Sequence, residues 1–399
     1  YLTIAILAAV TSTALLLWSP GLQTSKSWRA MTTPLASIIG SGFLVLGPIL
    51  DSAYGKYAPV VMAGLCIGAY LYGSAIRYNI ACMDAPVRPD GWLVNATEKA
   101  ASWSISFAYV ISVAYYLNLF GSFGVSLTPV NDPLHAKLLT SAIFVVILVV
   151  GWTRGFKLLE HMEYVSVTAK LAIITGLLVG LATYFYTKAI AGQLVGAAPQ
   201  QTGWSAITLA FGLIVTVQGF ETSRYLGAEY NSQTRIQSMK WAQWISSAIY
   251  MIYILLLAYV FEPGQLKISE TAIVELMAIV APILPALLVA AALAAQFSAA
   301  VADTSGSGGL IVELTNARAS ARMGYALLTA IGLTLTWTAN VFEIITYASR
   351  AFAFYYMLQS GIAAARAWGR PNQSGQCALF IFLAILGLLI VVFGTPIEG

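Results

Sequence analysis

Five ionisable side chains stand inside apolar stretches of this sequence: Lys170, Glu221, Arg224, Asp303 and Arg350. A charge at the centre of a membrane helix costs at least ~2.5–3.5 kcal/mol on insertion scales, so each must face protein or water and hold a partner. Groups of this kind form structural ion pairs, act as counter-ions, or carry protons. Lys170 is the most specific. It follows Ser166-Val167-Thr168-Ala169 in mid-run, too deep to snorkel easily to a surface. An ammonium kept from water can lose and regain a proton within the physiological pH range, which makes Lys170 a candidate coupling residue. The alternative is a fixed cation paired with Asp303 or Glu221. Glu275 and Glu343 lie nearer the starts of apolar runs.

Two glycine-punctuated stretches accompany these charges. The first is Ile38-Ile39-Gly40-Ser41-Gly42-Phe43; the second runs from Gly212 through Val217-Gln218-Gly219-Phe220-Glu221. Glycine costs a helix about 1 kcal/mol relative to alanine. Unwound backbone is tolerated at membrane depth only where protein or a water-filled cavity satisfies it. A pair of interrupted membrane helices therefore points to a solute site. Backbone N–H groups around Ser41, Gly42 and Phe43 suit a carboxylate or similar anion, and carbonyls around Val217 to Gly219 suit an amine. Phe220 would be an aromatic lid, Tyr115 or Tyr116 a hydroxyl donor, and Arg224 a partner for an anionic solute. The competing reading of Gly40, Gly42 and Gly219 is close helix packing through small residues, and that of the tyrosines is ordinary aromatic packing.

Catalysis finds little support. The two histidines, His135 and His161, lie in or beside loops, so Ser305 and Ser307 have no base within reach. Cys66, Cys82 and Cys377 show no CxxC or Cys/His spacing, which argues against a zinc site or a disulfide framework. No enzyme, metal or cofactor is expected.

The elements that must position these groups are membrane helices. The chain is 59% hydrophobic and 9% charged, against about 25% charged in a typical soluble protein, with a mean hydropathy of +0.80. About 20 residues of helix cross a bilayer core. Spans are predicted near 2–18, 31–50, 58–80, 101–127, 137–153, 163–186, 204–226, 240–261, 284–312, 323–339, 342–365 and 376–394. The short run 271–282 reads as a re-entrant or surface helix. Residues 1–18 lack the basic start and cleavage site of a signal peptide and read as a span. Alternate loops are basic, holding Lys26, Arg29, Arg77, Arg88, Lys99, Arg154, Lys157, Arg235, Lys240, Arg318, Arg322, Arg366 and Arg370. The other loops hold Lys56, Lys137, Lys188 and Lys267. The positive-inside rule places the first set in the cytoplasm and both chain ends outside.

These residues resemble the amino acid–polyamine–organocation (APC) superfamily, which has the LeuT fold. Ile39-Gly40-Ser41-Gly42-Phe43 is similar to the family's first-helix break, usually Ile-Gly-Ser-Gly-Ile-Phe. Arg154-Gly155-Phe156-Lys157 followed by Lys170 resembles the entry to its fifth helix, where a lysine takes the place of a sodium ion in proton-coupled members. Gly219-Phe220-Glu221, then Glu229, is similar to the sixth helix. Gln296-Phe297-Ser298 falls where the eighth helix completes the sodium or lysine site. Departures are Glu221 for the commoner aspartate, Arg224, Asp303 with the polar run Thr304 to Gly309, an additional first helix and a missing last one.

The resemblance implies an all-α polytopic membrane protein: a LeuT-type 5+5 inverted repeat of about twelve helices with broken first and sixth core helices. The repeats would be 31–186 and 187–366, flanked by an extra helix in 1–30 and a last one in 367–399. It implies a proton-coupled secondary transporter moving an amino acid or related small polar solute by alternating access. The alternative is a transporter of potassium or another cation. Expected solute ligands are Ile39, Gly40, Ser41, Gly42, Phe43, Tyr115, Val217, Gln218, Gly219, Phe220, Glu221 and Arg224, with Lys170, Ser298 and Asp303 handling protons. Expected partners are a small-molecule substrate, protons and membrane lipid, with no nucleic acid, in a monomer or homodimer of a bacterial or archaeal cell membrane.

Overall fold

The computed structural model describes residues 1–40, 42–84, 90–153, 157–227, 230–262 and 269–396, with the backbone alone described at 84 and 157–164. The α-helices among them are α1 (Leu2–Leu17), α2 (Pro20–Thr24), α3 (Lys26–Ile38), α4 (Gly42–Tyr54), α5 (Ala58–Asp84), α6 (Trp92–Val125), α7 (Pro133–Thr153) and α8 (Lys157–Ile190). They continue with α9 (Gly203–Gly212), α10 (Ser232–Leu257), α11 (Ala272–Val280), α12 (Leu284–Leu314), α13 (Ala321–Thr338), α14 (Val341–Ala367) and α15 (Ser374–Phe393). No strand occurs among the described residues. That follows from the solvent: without water to bond, a spanning backbone must satisfy itself, and a helix does so within one segment.

Six stretches are long and apolar enough to cross a membrane on their own: Gly42–Met83, Trp92–Val125, Pro133–Thr153, Val165–Ile190, Leu284–Leu314 and Ser374–Phe393. The spans expected at 31–50 and 204–226 are instead assembled from shorter pieces. The first is α3 and α4; the second is α9 and two 3-10 turns, Ile214–Val217 and Phe220–Tyr225. Helices α7 and α15 leave Val145, Val149, Trp152, Ile385, Leu388 and Val392 exposed. Continuous apolar surface of that kind belongs against lipid. Helix α6 is its opposite, buried along most of its length between α12, α14 and α7.

Helix ends account for two of the charges singled out above. Asn340 and Glu343 form a reciprocal capping box at the start of α14, so Glu343 serves a helix terminus. Arg350 donates from both Nε (3.1 Å) and a terminal nitrogen (2.6 Å) to the carbonyl of Gly394, which closes α15. A guanidinium there complements the negative end of the helix. Two arginines assigned above to cytoplasmic loops are buried instead. Arg77 lies within α5, bonded to Gln243 of α10, and Arg235 in the first turn of α10 donates to the carbonyl of Arg224 (2.9 Å).

Helix α1 docks on α8 through small residues. A Cβ on Gly176 would stand 2.6 Å from a methyl of Val10, and one on Gly180 3.3 Å from a methyl of Ile6. Ile6 is fully buried in that groove. Glycines four apart on one helix face allow this kind of approach between membrane helices.

Candidate functional site

The two helix breaks lie against each other. Helix α3 stops at Ile38 and α4 starts at Gly42, leaving Ile39 and Gly40 non-helical. In the second broken span Gln218 is extended, and Gly219 has φ +116°, a region that L side chains rarely adopt. The glycines are the points of approach. A Cβ on Gly42 would come within 2.7 Å of the Thr216 Cα, and one on Gly219 within 2.6 Å of the Ser37 backbone. Close packing and helix interruption thus occur at the same residues.

Unwinding frees backbone groups that the bilayer cannot satisfy, and side chains from three surrounding helices take them up. The Tyr250 hydroxyl of α10 lies 3.0 Å from the Ile38 carbonyl and 2.6 Å from that of Thr216, one group reaching both breaks. Ser349 of α14 accepts from the Val215 N–H (3.1 Å) and donates to the Gly212 carbonyl (2.7 Å). Lys170 of α8 donates to the Ala36 carbonyl in the last turn of α3, where the helix dipole places partial negative charge. The Gln218 side chain is held as well, its Nε2 amide donating to the Tyr116 hydroxyl of α6 (2.9 Å).

Phe43 packs against Tyr250 and Tyr253, with ring centroids 5.3 and 4.4 Å away. Phe220 stacks on Tyr356 (5.1 Å, interplanar angle 18°), which stacks in turn on Tyr72. Glu221 accepts from the Gly219 N–H and from the Tyr356 hydroxyl, both at 2.9 Å, while its second oxygen is buried without a hydrogen-bond partner among the described residues. Tyr115 is buried with its ring tilted against Tyr116.

Of the expected residues, Ile39, Gly40, Gly42, Phe43, Val217, Gln218, Gly219, Phe220 and Glu221 gather at the two breaks. Ser41 and Glu229 lie outside the described residues, as do Arg154, Gly155 and Phe156. Ser298 hydrogen-bonds Ser166 across the α8–α12 contact (3.2 Å), one helical turn from Lys170. Asp303 accepts from Ser112 of α6. Gln296 is fully buried, and its amide has no hydrogen-bond partner among the described residues.

Arg224 is placed differently from the expectation. It lies in the last turn of the second 3-10 segment and pairs with Glu98 of α6 at 2.6 Å. Arg366 of α14 reaches Glu98 at 3.2 Å and Asp90 at 2.6 Å. The Arg366 hydrogen bond holds the Asp90 carboxyl below the usual carboxylate range. This network borders a polar cavity of about 690 Å³ on the side of the basic loops, lined also by Cys82, Ser102, Trp103 and Glu313. Arg224 therefore belongs to the wall of a polar vestibule on the side of the basic loops, with its charge paired to Glu98.

Tyr250, Ser349, Tyr356 and Ser112 escape the sequence reading, although they hold the breaks and carboxylates in place. The available signal is a polar or phenolic residue within an apolar span. It is weak, because such residues also cap, pack and hydrogen-bond within their own helix.

Residues 20–394 match the family model described as APC superfamily transporter. The chain belongs to that superfamily. A protein of Aquifex aeolicus (strain VF5), named only as uncharacterised, is 42% identical over 388 residues, covering 95% of this chain and 94% of its own. Among solved structures, a Na+-coupled sialic acid symporter in its substrate-bound outward-open state superposes with a TM-score of 0.57 at 12% identity, covering 100% of this chain and 99% of that one. The fold is that of LeuT-type transporters. Family and fold are those of membrane-embedded secondary transporters and not of enzymes.

Proposed function

We propose that this protein is a proton-coupled secondary transporter for an amino acid or a related small polar solute. The observation that carries the reading is the placement of Lys170. Its ammonium donates to the Ala36 carbonyl at the end of α3, beside the first helix break, and would supply a fixed positive charge there. Loss of its proton removes that charge and frees the end of α3 to move, which links protonation to alternating access.

The solute would lie between the N-terminal end of α4 and the Gln218–Gly219 segment. The first N–H groups of α4, at Gly42 and Phe43, have no partner within their own helix and suit a carboxylate. Carbonyls of the second break, with the unpartnered Glu221 oxygen, suit an amine. Phe220, backed by the Tyr356–Tyr72 stack, would close over the ligand.

The test is uptake into proteoliposomes of a solute first identified by thermal-shift screening, driven separately by proton and sodium gradients. A ligand of the native state raises stability as its concentration exceeds its dissociation constant. Uptake should follow the proton gradient, and Lys170→Ala should abolish that dependence. Sodium-driven uptake, or full proton coupling in Lys170→Ala, overturns the assignment. The buried carboxylates Glu221 and Asp303 favour a second reading as a cation transporter, which potassium or sodium flux without any organic solute would support.

A further inference from the structure

We infer that Asp303 is a second proton-carrying site, reached from the polar vestibule along a seam of hydroxyls between α6 and α12 and separate from Lys170. Asp303 is buried, and Ser112 of α6 is its hydrogen-bond partner. The Ser112 oxygen also lies 3.0 Å from the carbonyl of Tyr109, one turn back on its own helix. That geometry serves both protonation states. With the carboxylate ionised, the Ser112 hydroxyl donates to it. With the carboxyl protonated, its O–H donates to the Ser112 oxygen and the serine proton turns to the Tyr109 carbonyl. No buried donor or acceptor of the pair is orphaned in either state.

The seam continues towards the vestibule. One turn along α12, Ser307 faces Ser106 of α6, with the two hydroxyls 3.3 Å apart. Each can turn to the other's backbone, Ser307 to the Ser106 carbonyl at 3.2 Å and Ser106 to the Ser307 carbonyl at 3.5 Å. A further turn on, Ser102 and Leu310 line the polar cavity of about 690 Å³. A proton leaving Asp303 would pass from the Ser112 pair to the Ser106–Ser307 pair, one helical turn away with no direct hydrogen bond between them, and on to the polar cavity; the products are a carboxylate and a hydronium ion in the vestibule. Among the described residues Asp303 belongs to no cluster of three or more His, Cys, Asp or Glu side chains that could hold a metal ion, which favours a proton.

The ionisable groups facing Asp303 are Tyr109 and Tyr116 from α6 and Glu221 from the second broken span. Of the other helices packed on α12, α13 contributes Tyr325, whose ring lies against Gly308, and α8 carries Lys170, bonded to Ala36. The α3 cations Lys26 and Arg29 sit in its first turn, and Glu275 of α11 is exposed. As a coupling element this site rests on the transport function proposed above, but its protonation can be read without any solute.

Infrared difference spectra of the protein in lipid, taken as pH is lowered, should show a protonated-carboxyl C=O band that is absent in Asp303→Asn. Ser112→Ala removes the hydrogen-bond partner and should move the band to higher wavenumber, which keeps the assignment testable if Asp303→Asn does not fold. Ser106→Ala combined with Ser307→Ala should slow the response of the band to a pH jump. The band should persist in Lys170→Ala, whether or not uptake is proton-driven. A spectrum unchanged in Asp303→Asn, a band unmoved in Ser112→Ala, or a band removed by sodium or potassium at fixed pH overturns the inference.

Discussion

Replacing Gly219 by alanine tests the crossing of the two broken helices. Two costs add at this residue. The φ of +116° is strained for any L side chain, worth ~1–3 kcal/mol. The new Cβ would lie 2.6 Å from backbone and side-chain atoms of Ser37, an overpacking worth ~1–3 kcal/mol more. The lower unfolded-state entropy of alanine returns ~0.4–1 kcal/mol. The net expectation is a loss of ~1–5.5 kcal/mol, together with disturbance of the Gly219 N–H bond to Glu221. Denaturant unfolding in mixed micelles, compared at constant slope, measures it. Gly361→Ala is the control, because a Cβ there meets nothing within 4 Å in the middle of α14 and should stabilise by ~0.5–1 kcal/mol. Gly42→Ala should also destabilise, through Thr216, and the double variant should lose less than the sum, because either methyl alone pushes the same two segments apart. If Gly219→Ala is as stable as wild type, the segments do not approach as described and the close-packing argument fails.

Ser349→Ala should cost ~1–3 kcal/mol for each backbone group it orphans, at Val215 and Gly212, and thermal unfolding of the purified variant reads the loss. Glu98→Gln removes the carboxylate between two arginines; its partial exposure reduces the ~3–5 kcal/mol of a fully buried pair to ~1–3 kcal/mol. The same change should speed maleimide labelling of Cys82 in the vestibule wall, while Cys66 and Cys377 stay protected. Asp90 is held below its usual range when folded, so its contribution is present above the unfolded carboxylate value of about 4 and lost as pH falls through the lower folded one. The stability gap between wild type and Asp90→Asn should therefore close on acidification, and a gap independent of pH would refute the Arg366 pairing.

Both helix breaks are legible in the sequence because glycine marks the places where a membrane helix is willing to stop. Lys170 is legible because a lone ammonium in an apolar run demands an explanation. The satisfaction of the breaks is not legible. Which side chain reaches the Ile38 carbonyl depends on α10 lying across both broken spans, a fact of tertiary packing that no local pattern around Tyr250 carries. Arg224 misleads for a related reason: its guanidinium partner, Glu98, is 126 residues away and sits in a helix that begins at Trp92, well before the span expected from residue 101. Hydropathy finds the membrane portion of a helix and misses its polar extension. The glycine at 219 shows the remaining ambiguity, since breaking a helix and admitting a neighbour both call for the same missing Cβ.

The docking of α1 bears on how the transporter moves. Gly176 lies six residues beyond Lys170 on α8, about 9 Å along the axis at 1.5 Å per residue. Ile6 fills the groove on that stretch, so moving α8 alone would expose a buried apolar side chain. Any displacement of α8 near Lys170 would then carry α1 with it and sweep a second helix through the surrounding lipid.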